Sequence, residues 1–274
     1  PETMKTHYVL FAALALTACA APTPQIVEET PAPEDIDIGI LWTEYSAEYQ
    51  AVSAQVYAVA RRDLPRLLAD PEWTALPGDH DVAGKPPAII LDVDETVVSN
   101  ADYQETLRFA PYSRYGHFDW MRNNTAVPIR GAAETIEAAR EAGVTVFFLT
   151  NRACEAFDDA EGDCPYEQVT IDDLREAGIE TDAEHVLMAW EQPGWSKEKV
   201  NRRNFIAETH RVIMLFGDDY GDFVHCTRAN PLAPCTEPAT RESRHAALDT
   251  YADYWGNGWY ILPNPMHGSW TSVR

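Results

Sequence analysis

The sequence predicts an α/β fold with a largely parallel sheet. Three observations carry that expectation. Five apolar runs of strand length recur along the chain, at 88–91 (AIIL), 144–149 (VTVFFL), 185–190 (HVLMAW), 211–216 (RVIMLF) and 259–263 (WYILP). Helical patterns fall between them at about 130–142, 167–177 and 197–208. Gly143 and Gly178 stand where two of those helices should stop, since glycine takes the left-handed backbone of a helix C-terminus without steric cost. Strands that alternate with helices build a sheet whose neighbouring strands run parallel. Ahead of this core, Trp42, Tyr45, Tyr49, Val52, Val56 and Val59 recur at spacings of three and four, the stripe of an amphipathic helix facing the core. No internal repeat is visible.

Composition sets the bounds. A chain of 274 residues, 45% hydrophobic and 11% aromatic, can bury a sizeable core, and one large domain suits its length. Its 44 acidic against 21 basic residues, a net charge of -23, exclude nucleic acid as a partner, because duplex binding rests on neutralising phosphates with Lys and Arg. A small phosphate ligand is compatible only with a local cation.

The first residues stand apart from the fold. Met4 and Lys5 precede an apolar run at 8–16, too short to span a bilayer and proportioned as a signal-peptide core. It leads into Leu16-Thr17-Ala18-Cys19, which resembles the lipobox of bacterial lipoproteins, whose cysteine is lipidated and becomes the mature N-terminus. The expected organisation is a signal peptide and lipobox at 1–19, a flexible Pro-, Ala-, Thr- and Glu-rich tether at 20–36, and one domain at 37–274. With Cys19 as the anchor, Cys154, Cys164, Cys226 and Cys235 remain. Four cysteines allow three pairings; two local loops are the simplest. Neither pair has the spacing of a zinc site.

In open α/β sheets ligands gather at the carboxyl ends of the strands, and the polar residues follow that rule. Asp92 and Asp94 end the first run, Thr150, Asn151 and Arg152 the second, and Gly217, Asp218, Asp219 and Asp222 the fourth. Lys199 falls in the first turn of the helix before that fourth strand, after Ser196 as its cap. Because side chains alternate along a strand, Asp92 and Asp94 share one side while Val93 turns to the core. Two carboxylates so close repel unless a cation neutralises one. Oxygen-only ligands of this kind suit magnesium, so an acidic chain can recruit an anionic phosphate through a bound cation.

The motifs DVDET, TNR, a later Lys with Arg three residues on, and GDDYGD together resemble the haloacid dehalogenase superfamily of phosphotransferases, and within it the bacterial class C acid phosphatases, the lipoprotein e group. WTEYSAEYQAVSAQVY and LPNPMHGSW resemble that group's N-terminal helix and C-terminal signature, so the likeness covers nearly the whole mature chain. The resemblance implies a Rossmann-like core with a small, partly helical cap and a magnesium-dependent acid phosphomonoesterase, 5'-nucleotidase-like, that acts on nucleoside monophosphates through an aspartyl-phosphate intermediate. It assigns Asp92 as the nucleophile and a metal ligand, and Asp94 as the general acid and base with a metal-ligating main-chain carbonyl. Thr150, Asn151 and Lys199 are assigned to the phosphate, with Lys197 competing for the lysine role. Asp218 is implied as a metal ligand, with Asp219, Asp222 and Arg202 in support. Asp219 stands where the group commonly has Asn.

Aromatic residues after the first motif, Phe118 and Trp120 in particular, match an insertion that stacks a nucleobase in the group. His267 occupies the position of the group's stacking tyrosine. The resemblance also places the protein on the outer membrane by its lipid anchor, facing the periplasm or the surface. A noncatalytic lipoprotein binding a small ligand such as haem is the competing expectation.

Overall fold

A computed structural model describes residues 37–156 and 160–273. The expected signal peptide, Cys19 and the tether lie outside the described residues, as do Phe157, Asp158 and Asp159 between Cys154 and Cys164. Among the described residues no helix is long and apolar enough to cross a membrane.

The N-terminal stripe forms two helices, not one. Helix α1 (Ile38–Tyr45) ends at Ser46, whose side chain accepts from Tyr49 N and starts α2 (Ala47–Ala69). A serine competing for backbone donors is a cap signal, and it splits the periodic pattern between Tyr45 and Ala47. The residues of α2 that reach the core are Tyr49, Tyr57, Ala60, Leu64 and Leu67, whereas Val52 is exposed.

The central sheet has five strands, β1 (Pro87–Leu91), β4 (Thr145–Ala153), β5 (Val186–Ala189), β6 (Arg211–Gly217) and β7 (Trp259–Ile261), in the order β5-β4-β1-β6-β7. Every pairing is parallel, as the alternation of elements predicts. The five apolar runs are these five strands, with β4 extending four residues beyond the expected end. Side chains of β1 and β4 divide by period two. Ile89, Leu91, Val146 and Phe148 pack against α2, α5 (Ala132–Glu141) and α6 (Pro165–Glu176). Ala88, Ile90, Phe147 and Leu149 pack on the other face with Ile206 and Ala207 of α7 (Val200–Thr209), Trp195 and Trp259. A sheet buried on both sides explains strands that read as continuous apolar runs. Gly143 and Gly178 follow α5 and α6 with φ of +76° and +82°.

Between β1 and α5 the chain inserts a small unit. Two short strands, β2 (Val98–Ser99) and β3 (Val127–Pro128), pair antiparallel and enclose α3 (Ala101–Thr106) and α4 (Arg114–Asn123). This is the partly helical cap. A last helix, α8 (Arg241–Thr250), has no buried residue. Cys154 pairs with Cys164 and Cys226 with Cys235, the two local loops.

Candidate active site

A cavity of about 770 Å³ opens at the carboxyl ends of β1, β4 and β6, beneath the inserted unit, and Asp92, Asp94, Asn151 and Asp218 all line it. Asp92 follows β1 directly, and its backbone N–H donates to Phe216 O of β6 at 3.0 Å, which holds the nucleophile candidate between two strand ends. The Lys199 ammonium donates to Asp92 Oδ1 and lies 2.7 Å from Asp222 Oδ1, with all three side chains buried. Carboxylate oxygens of Asp92, Asp218 and Asp222 come within 4.8 Å of one another.

Such a cluster has an electrostatic consequence. Burial pushes the Asp92 carboxyl up to about 7, with Asp222 and Asp94 adding to it and Lys199 opposing. Burial, Asp222 and Asp92 push Asp218 well above the usual carboxylate range. Burial works against the Lys199 ammonium, but Asp222 and Asp92 overrule it and keep the group charged. One ammonium against three converging carboxylates leaves surplus negative charge, and an all-oxygen donor set is what a hard divalent cation takes. The chemistry of these residues fits such an ion.

Asp94 is held differently. Arg152 donates to it from Nη2 at 2.7 Å and from Nε at 3.1 Å, and Asn100 Nδ2 donates at 2.7 Å. Burial opposes the Asp94 charge, yet the Arg152 guanidinium holds the carboxyl well below its ordinary value. The other edge of Arg152 reaches Asp173 Oδ2 at 2.7 Å and Thr170 Oγ1 at 3.1 Å, both on α6. Sequence reasoning gave Arg152 no role. Its place in TNR, directly after the phosphate candidates, was the available signal.

The remaining candidates separate into those on the cavity and those behind it. Asn151 lines the cavity, and its Oδ1 accepts from Arg202 Nη2 at 2.7 Å, which leaves the amide nitrogen for a ligand. Thr150 is fully buried and its hydroxyl accepts from Arg152 N at 3.1 Å, at the irregularity within the last residues of β4. Arg202 is also fully buried, donating to Thr150 O, Leu187 O and Ser196 O. It clamps the second motif to α7 from behind.

Lys199 is not inside the helix but caps it, since α7 begins at Val200. Ser196 instead accepts from Glu198 N and donates to Ala233 O. Lys197 lies elsewhere on the wall, its Nζ 5.7 Å from the Trp190 ring centroid.

Asp218 is oriented by Asn264 Nδ2 at 2.7 Å, a role for the C-terminal signature that its sequence did not disclose. Asp219 turns away from the three-carboxylate cluster. It accepts from Gly221 N at 2.8 Å and from Ser269 Oγ at 2.7 Å, so the extra charge at this position caps a turn. Asp222 accepts from Asp219 N at 2.9 Å and packs on Gly217, where any Cβ would collide with it.

The aromatic wall differs from expectation. Phe118 is 6% exposed and belongs to the core, edge-on to Tyr166. Trp120 packs behind Tyr103 and His117 rather than on the cavity. On α4, residues 118 and 121 face inward to the core, so the cavity receives Arg114 and His117, one turn apart, together with Tyr103, Tyr112 and Tyr166. Burial first, then Arg152 and His267, lower the His117 imidazole to about 4, against the pull of Asp94.

His267 does line the cavity, but its Nε2 lies 2.9 Å from Oε2 of the fully buried Glu95. Burial opposes its charge, and the Glu95 carboxylate raises its pKa above the ordinary value. Glu95 also accepts from Asn100 N at 2.7 Å and holds φ at +56°, in the left-handed region.

Residues 8–270 match the sequence model of the HAD superfamily, subfamily IIIB (Acid phosphatase). The chain belongs to that family. Its fold is similar to the class C acid phosphatase from Bacillus anthracis, with a TM-score of 0.66 and 26% identity over 85% of each chain. A second structure of the Bacillus anthracis class C acid phosphatase, with tungstate bound, matches at the same TM-score and identity over 85% of this chain and 84% of that one. Acid phosphatase 1 of Solanum lycopersicum is 26% identical over 140 residues, 49% of this chain and 51% of its own length. The chain thus spans about half the length of that curated relative.

Proposed function

We propose that this acid phosphatase family member is a magnesium-dependent phosphomonoesterase working through an aspartyl-phosphate intermediate. The observation that carries the reading is Lys199, buried between Asp92 and Asp222 beside a three-carboxylate cluster at the strand ends. Phosphoryl transfer needs positioning and charge neutralisation above all. Tungstate is a tetrahedral oxyanion like phosphate, and its presence in the Bacillus anthracis structure supports a site for such an anion here.

Asp92, Asp218 and the Asp94 main-chain carbonyl would hold the ion, with Asp222 beside it. The metal, when bound, offsets the charge of the carboxylates and of the phosphate. Lys199 holds the Asp92 carboxylate in place and pairs with the phosphate oxygens. Asn151 donates its amide to the same group. A carboxylate oxygen of Asp92 forms the new bond to phosphorus as the ester O–P bond breaks, and the departing oxygen takes its proton from Asp94. Water then gives a proton to Asp94 while its oxygen bonds to phosphorus, and the acyl-phosphate bond to Asp92 breaks.

Arg152 holds Asp94 as the carboxylate in the resting site, the form that the second step requires. The first step requires the acid, so turnover is expected to rise as pH falls, which suits an acid phosphatase. Nucleoside 5'-monophosphates are the proposed substrate class, with Tyr103, Tyr112 and His117 rather than Phe118 and Trp120 as the wall beside the base. Lipidation of Cys19 in the cell envelope is proposed from its sequence context.

The test is hydrolysis of p-nitrophenyl phosphate and a nucleotide panel by the purified protein, in excess chelator and after magnesium is restored. Activity should vanish and return. Full activity in chelator, with no metal found by elemental analysis, would refute the metal site.

A further inference from the structure

The cavity floor is acidic, but its rim is not. Arg114 at the start of α4, Lys197 in the loop before α7 and Arg228 all line it, with Trp190. In a chain of net charge -23, three cations converging on one opening are not background composition. Two of them have carboxylate partners: Arg114 Nη1 lies 2.6 Å from Glu155 Oε2, and Arg228 Nε lies 3.5 Å from Glu198 Oε1. Lys197 has none, since among the described residues no carboxylate comes within 4.0 Å of its ammonium. Burial lowers its pKa and the Arg228 and Arg114 charges lower it further, outweighing the opposing pull of Glu155. An ammonium partly removed from water among like charges is a cost to the free protein, and an anion placed there would relieve it.

Trp190 gives a second, independent sign. It holds φ at +61°, is 37% exposed as a residue, and lies on the cavity wall under Lys197. A bulky side chain in the left-handed region is strained, and such strain concentrates at ligand sites. The two lysines near α7 therefore divide the cavity. Lys199 serves the acidic floor, and Lys197, two residues earlier, serves the rim.

We propose that this rim is a second anion subsite, and that the preferred substrate is a phosphomonoester whose leaving group carries a second phosphate. The inference rests on the phosphatase reading above, because the floor must take the first phosphate. Two guanidiniums and one ammonium suit the three oxygens of a phosphate better than the two of a carboxylate. The Trp190 face is placed to pack the group that links the two phosphates.

The experiment compares adenosine 5'-monophosphate with adenosine 3',5'-bisphosphate as substrates of the full chain with magnesium. The bisphosphate should show kcat/KM about tenfold higher, the equivalent of one charge-assisted contact, and the gain should reside in KM. Lys197→Ala should bring the ratio to about one, and Lys197→Arg should keep it. A ratio near one in the wild type, or one that Lys197→Ala leaves unchanged, would overturn the proposal. Calorimetric binding of both nucleotides to Asp92→Asn protein separates the two readings. If the phosphatase reading fails, neither nucleotide is hydrolysed but the bisphosphate still binds more tightly through Lys197. If the subsite fails, both nucleotides bind alike.

Discussion

Replacing Lys199 by methionine keeps the length of the side chain and removes its charge. The lysine side chain is 3% exposed, those of Asp92 and Asp222 are 9% and 6% exposed, and Nζ touches both carboxylates. Breaking a buried ion pair from one side leaves the partner charge uncompensated, at about 3–5 kcal/mol. A domain of ordinary stability has only about 5–15 kcal/mol in total. With a urea m-value of about 3 kcal/mol/M, the unfolding midpoint should fall by about 1–1.7 M at pH 8 in chelator.

The loss should depend on pH. Burial already raises the Asp92 and Asp218 carboxyls above their unfolded values, and losing the ammonium raises Asp92 further. In the window between unfolded and folded pKa the native state binds more protons than the unfolded one, so stability falls as pH rises through it. The deficit of Lys199→Met is therefore largest at pH 8 and smaller at pH 5. Magnesium should stabilise the variant more than the wild type, by restoring positive charge to the cluster. Urea titrations with both disulfides intact would measure this. Equal midpoints at pH 8, or a deficit that does not change with pH, would refute the reasoning.

Three further outcomes follow from other parts of the site. Arg152→Gln, made in an Asp173→Asn background so that no carboxylate is left buried and unpaired, should let the Asp94 pKa rise toward its ordinary value. The pH–rate profile for kcat should then shift to higher pH, and an unshifted profile would count against Asp94 as the acid. His267 has a raised folded pKa from Glu95, so its contribution to stability is full below the unfolded value of about 6.5 and is lost as pH rises through the folded one. The stability difference between wild type and His267→Gln should shrink with rising pH, as measured by thermal melts across that range. Tyr57→Phe removes a buried 2.6 Å hydrogen bond to Thr96 O, and chemical denaturation should show a loss of about 1–3 kcal/mol from the stranded carbonyl.

The parallel sheet was legible because strands buried on both faces read as near-continuous apolar runs, and AIIL, VTVFFL and RVIMLF do, broken only by Thr145 and Arg211. The acidic cluster was legible because Asp92, Asp218 and Asp222 each follow a strand within a few residues. What could not be read depends on the chain folding back on itself. Asp94 meets Arg152 across 58 residues and Asp218 meets Asn264 across 46, and no local period records either contact. Phe118 and Trp120 were misplaced for a related reason. Aromatic density within α4 marks a helix that must bury a face, but only packing against Tyr166 and Tyr103 decides which side chains turn to the cavity. The break at Ser46 was available as a capping signal, and the apolar spacing on both sides of it concealed it.

The most direct test is to mix the protein with magnesium and a phosphate-labelled ester, quench in acid within one turnover, and locate the label by peptide mass spectrometry. The account predicts a phosphoryl group on Asp92 in the wild type, and neither label nor turnover in Asp92→Asn. Label on another residue, or undiminished hydrolysis by Asp92→Asn, would contradict it.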